Sequence, residues 1–142
     1  MKAIPILLFL LPLFTLGQSR SNQATANMKL FQQYYNAGQG DSINAMFGYH
    51  WDEAKKFKPI WTKKDAAEML EKFGKLESFR FIGIDQTDPQ KVYVFQTIFS
   101  RGGEKTTSMT LDEANALSTF RFITESRGIT KLLHKYHQTK GR

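Results

Sequence analysis

The hydrophobic period of this chain changes once, at Gly74, and that change limits the possible folds more than any other feature. Before it, apolar residues return at steps of three and four. Met28, Phe31 and Tyr35 form one stripe, widened by Leu30 and Tyr34, while Ile43, Met46 and Phe47 form a second. Ala66, Met69, Leu70 and Phe73 form a third. Such spacing places each set on one side of a helix. After Gly74 the step falls to two: Phe79 and Phe81 alternate with Ser78 and Arg80, and Ile82 and Ile84 continue the run. Helices followed by consecutive strands predict an α+β domain, with N-terminal helices packed on a curved antiparallel sheet of three or four strands.

Punctuation between these runs supports the division. Gly38 suits the C-terminal end of the first helix, and Asp41 can cap the second. Thr62-Lys63-Lys64-Asp65 reads as a capping box with Asp in place of Glu, and Gly74 ends that helix. Gly48 to Ile60 has no period and reads as a loop. The turn from Asp85 to Gln90 contains Asp88-Pro89, a strand breaker. Lys91 to Ser100 is apolar on both faces, so it is expected to be covered on both sides or to face a pocket on one. Arg101-Gly102-Gly103-Glu104 closes a hairpin. Lys105 to Leu111 and Leu117 to Thr124 follow as strands joined through Asp112 to Asn115. Ile129 to Tyr136 fits a strand or a helix.

The N-terminus carries a different signal. Met1-Lys2 precedes a nearly unbroken apolar run from Ala3 to Leu16, and Gly17 supplies a small residue before Gln18. This order is that of a secretory signal peptide, residues 1–17, cleaved near Gly17. The run is too short, and too interrupted by Pro5 and Pro12, for a spanning helix, which needs about 20 apolar residues. A periplasmic or extracellular location is expected. Residues 18–23 read as a short flexible lead, 24–137 as a single α+β domain and 138–142 as a basic tail.

Composition then narrows the chemistry. Removing the leader leaves 125 residues, enough for one core. There is no cysteine, which excludes disulfides, thiol catalysis and thiolate metal sites. The whole chain carries +7, and without Lys2 it has 19 basic against 13 acidic residues, or +6. A basic balance favours anionic partners. Export moves the expectation away from nucleic acid and toward acidic envelope polymers or lipid headgroups. No cofactor motif is present, and no cofactor or metal is expected.

The stretch from Phe31 to Ile43, FQQYYNAGQGDSI, resembles the opening helix pair of the nuclear transport factor 2-like superfamily, in particular its small exported bacterial domains of unknown function. The resemblance covers about Ala24 to Thr124. It implies a cone-shaped, cystatin-like domain whose helices and bent sheet enclose a cavity. Members include isomerases, dehydratases, ligand binders and protein-interaction modules, so the fold alone does not select an activity. The enzymes of the superfamily place a carboxylate or histidine in the cavity beside a polarising Tyr or acid. Here the inward strand positions are mostly Phe, Val and Ile, and the acids Asp85, Asp88, Glu104, Asp112 and Glu113 cluster at turns. That pattern weighs against catalysis.

The candidate sites follow from these readings. Tyr34 and Tyr35 on the first helix, with Trp51 and Trp61, are the expected ligand-binding residues, since an aromatic ring with a polar atom suits the mouth of an apolar pocket. His50, beside Trp51-Asp52-Glu53, is the candidate general base of an alternative, isomerase- or dehydratase-like reading. Lys55, Lys56, Lys58, Lys63 and Lys64 interleave with aromatic residues and form a candidate anionic-surface site. His134 and His137 would share a face on a helix and oppose one another on a strand, and no third metal ligand accompanies them. The expected function is non-catalytic binding of a small apolar or amphipathic molecule or of a protein partner. The superfamily resemblance also implies a homodimer formed through the open sheet face, which no residue here specifies.

Overall fold

The computed structural model of the chain describes residues 16–48, 61–87, 89–122 and 126–141. Its element order is α1 (Leu16–Asn36), α2 (Gly40–Ala45), α3 (Lys63–Phe73), β1 (Leu76–Asp85), β2 (Val92–Phe99), β3 (Gly103–Leu111), β4 (Leu117–Phe122) and α4 (Arg127–Lys140). The four strands form one antiparallel meander in sequence order. The protein is thus α+β, with helices packed on an open antiparallel sheet.

The stripes read from the sequence are the buried faces. Ala24, Met28, Phe31 and Tyr35 of α1 are buried and meet Tyr93, Phe95 and Phe99 of β2, Met109 of β3 and Leu117 of β4 in one core. Burying each such large side chain is worth about 1.5–3 kcal/mol. Leu30 departs from the expected stripe and is 38% exposed. The turn caps also hold. Gly38 takes a positive φ of 67° and closes α1, with the Gln39 amide bonding the Tyr34 carbonyl at 2.8 Å. In α3 the Thr62 hydroxyl accepts from the Asp65 amide at 3.1 Å, and the Asp65 carboxylate accepts from the Thr62 amide at 2.8 Å.

Some elements differ from expectation. Residues 18–23 are helical, as part of α1, rather than a loose lead. No Gly or Pro interrupts Gln18 to Ala37, so nothing stops the helix from extending backward. The N-cap of α2 is Gln39, and Asp41 lies inside the first turn, where its charge complements the helix dipole. Ile129 to Tyr136 is helical. Ser126 caps α4 by accepting from the Ile129 amide at 3.1 Å. The helix continues through the first residues of the expected tail, where Lys140 pairs with Glu104 at 3.0 Å.

α4 explains why β2 is apolar on both faces. Tyr93, Phe95 and Phe99 face α1 to α3, while Val94 and Gln96 alternate to the other side and are also buried. On that side α4 packs against β1, with Ile129 buried and Leu132 against Gly83. Gly83 sits at a bulge in β1, where Phe81 pairs Phe95 and Gly83 pairs Val94, and the absent side chain leaves room for Leu132. Arg80 stacks over Tyr136 at 5.4 Å and fastens the middle of the helix. This helix occupies part of the sheet face on which the homodimer expectation rests. No described helix is long and apolar enough to cross a membrane.

Candidate ligand groove

Two asparagines on the N-terminal helices act as backbone surrogates and set the position of everything else. At the end of α1, the Asn36 side chain accepts from the Leu76 amide at 2.8 Å and donates to the Leu76 carbonyl at 3.0 Å. Gln32, one turn earlier, donates to the same carbonyl at 2.9 Å. The first residue of β1 is thereby paired as though by another strand. In α2, the Asn44 side chain does the same for Trp61: it accepts from the Trp61 amide at 2.8 Å and its amide nitrogen donates to the Trp61 carbonyl. Gly40 at the start of α2 lies so close to Thr62 that a side chain there would collide with its backbone.

Held in this way, the Trp61 ring meets Phe31 edge-on at 5.7 Å and Phe122 at 6.4 Å. Phe31 in turn lies 4.2 Å from Phe120 and stacks on Tyr35 at 5.6 Å. These rings fill the space between α1 and the sheet among the described residues. A larger, shallow cleft of about 630 Å³, lined by Asn36, Leu70, Gly74 and Arg101 among others, lies at the C-terminal end of α3, and between α3 and β4 a groove of about 440 Å³ stays open. Its floor is Trp61, Met69, Phe73 and Phe120, and its rim carries Asp65, Glu68 and Lys72. The Thr62 hydroxyl and amide bonds hold the Asp65 carboxyl below its ordinary value. Lys72 lies 5.1 Å over the Phe73 ring. An apolar floor with a few charges of both signs at its edge suits an amphipathic molecule.

The sequence candidates fall unevenly around this groove. Trp61 is in it. Tyr34 is half-buried, packs against the core and does not line the groove. Tyr35 is wholly buried, with its hydroxyl 2.9 Å from the Gly74 carbonyl and 3.0 Å from the Met69 carbonyl, so its place is a tie between α1 and the end of α3. Burial pushes its pKa up to about 12, against a smaller opposite influence from Arg101. Lys63 and Lys64 are exposed in the first turn of α3, where Lys64 lies 3.6 Å from Glu68. His50, Trp51, Lys55, Lys56 and Lys58 lie outside the described residues. His134 and His137 are both exposed on α4, and the described residues contain no group of three side chains that could hold a metal ion.

The opposite face of the sheet holds a second cavity, of about 110 Å³, that the sequence reading missed. It is lined by Asp85, Ser108, Thr110, Thr119, Arg121 and Ser126, among others. Asp85 is buried here. Its carboxylate accepts from the Thr87 amide at 2.9 Å, the Thr87 hydroxyl at 2.6 Å and the Ser126 hydroxyl. Burial pushes its pKa up, but the hydrogen bonds from Ser126 and Thr87 outweigh burial and leave it lowered. The alternation of Ser108 and Thr110 along β3, and of Thr119 and Arg121 along β4, was the available signal for a polar sheet face.

No protein-family model matches this chain, and no curated protein matches it.

Proposed function

We propose that the chain is an exported, non-catalytic binding domain of the nuclear transport factor 2-like kind, and that it takes a small amphipathic molecule in the groove at Trp61. The observation that carries this reading is the groove itself, whose volume of about 440 Å³ lies within the range typical of small-molecule sites. Its floor joins Trp61 to Met69, Phe73 and Phe120, so an apolar body would rest on rings and a thioether. Asp65, Glu68 and Lys72 are placed to meet a polar head. The apolar run from Ala3 to Leu16 supports export.

Native mass spectrometry of protein purified from its own host tests the binding role. A discrete added mass, lost in Met69→Trp, where an indole fills the groove, is the expected result. A bare chain mass that never gains ligand from host extracts would refute it. The same spectrum gives the mature N-terminus, expected at Gln18.

A further inference from the structure

The chain after Glu125 contains no acidic residue, and nearly all of it is helix α4. Along this helix Arg127, Lys131, His134 and Lys135 are exposed, whereas Ile129 is buried and Leu132, Leu133 and Tyr136 are half-buried against the sheet. The basic residues recur at steps of three and four, so they form one stripe directly away from the sheet. We infer that this stripe is a docking face for an anionic phospholipid surface, separate from the groove at Trp61 and on the other side of the sheet.

Three features support that assignment. First, the helix is fixed: Arg80 stacks on Tyr136, Lys140 pairs with Glu104, and Ser126 and Asp85 hold its first turn. The charges from Arg127 to Lys135 therefore stand in a row about 12 Å long without the cost of ordering a loose tail. Second, the sheet extends the field, because Arg121 on β4 is exposed on the same side of the molecule. Of the carboxylates that contact α4 among the described residues, Glu104 is paired with Lys140 outside the stripe, and Asp85 is bonded to Ser126 and Thr87 at the first turn, where it offsets part of Arg127 and leaves Lys131, His134 and Lys135. Third, the apolar stripe of α4 is used up by the sheet, so the helix offers charge without an inserting face. No described Phe, Tyr or Trp ring is exposed, so the large stacking platform that single-stranded nucleic acid favours is missing from this surface. A planar array of phosphates read by charge alone fits best.

Vesicle co-sedimentation of the full chain tests the inference, using mixed phosphatidylcholine–phosphatidylglycerol vesicles against pure phosphatidylcholine. Any uncleaved apolar leader binds both vesicle types, so the anionic preference is the readout. The expected result is selective binding to the anionic vesicles that weakens steeply as salt rises from roughly 0.05 to 0.5 M. Each charge removed should cost about fivefold in affinity. K131Q/K135Q should then weaken binding about 25-fold, and R127E/K131E/K135E should abolish it, with helix content and melting temperature unchanged because these side chains are exposed. Equal binding to neutral vesicles would overturn the proposal. So would anionic binding that survives the triple variant, or tighter binding to DNA than to phosphatidylglycerol at equal phosphate concentration. Loss of groove ligand in Met69→Trp leaves this test untouched.

Discussion

The Tyr35 hydroxyl meets the Gly74 carbonyl at 2.9 Å, joining positions 39 residues apart. The same hydroxyl lies 3.0 Å from the Met69 carbonyl, so its single proton is shared between two acceptors at the C-terminal end of α3. It ties the helix that borders the groove to the helix at the centre of the core.

Tyr35→Phe should therefore cost about 1–3 kcal/mol, since the ring volume is kept and one buried donor is lost. Urea denaturation measures it. The pH dependence has a defined sign. With the folded-state pKa at about 12 and the unfolded value near 10, stability is intact below about pH 10 and declines as pH rises toward 12. The Tyr35→Phe protein should show a shallower alkaline decline.

Asn44 acts on the site through Trp61. Asn44→Ala leaves the Trp61 amide and carbonyl without their partners, at a cost of about 1–3 kcal/mol. On the proposed function, ligand affinity should fall with it even though Asn44 does not line the groove. Isothermal titration and thermal melting on the same protein separate the two effects.

Asp85 anchors α4. Asp85→Ala strands Ser126 and Thr87 and should destabilise the protein by about 1–3 kcal/mol, with faster amide exchange concentrated in α4. Because the folded carboxyl is held below its ordinary value, its contribution is present above about pH 4 and is lost as pH falls through the folded pKa. The stability gap between wild type and Asp85→Ala should narrow in acid.

Thr62→Ala removes the hydroxyl half of the capping box, while the backbone amide of residue 62 keeps the Asp65 carboxylate, and should cost about 1 kcal/mol. Thr62→Ser, which keeps the hydroxyl, should recover most of it, as read by chemical denaturation.

Much of this arrangement was legible in the sequence because it is local. The stripe of Met28, Phe31 and Tyr35, the capping box at Thr62 and the hairpin glycine at Gly103, with φ 66°, are decided by residues within one or two turns of each other. The apolar faces of β2 announced a second covering layer without naming it. Ile129 to Tyr136 could not be assigned because its apolar residues fit either period, and the choice of helix rests on Ser126 and on contacts with β1. Trp61 was visible as a ring of interest, but Met69 and Phe120 join it only through tertiary packing. Asp85 and Ser126, 41 residues apart, form the second cavity for the same reason.

The two faces of the sheet are covered by different helices, with α1 against Tyr93, Phe95 and Phe99 of β2 on one side and α4 packed on β1 on the other. The second face, which carries Val94 and Gln96, therefore rests on a single helix, and loosening α4 alone would wet one side of the sheet while leaving the aromatic side closed.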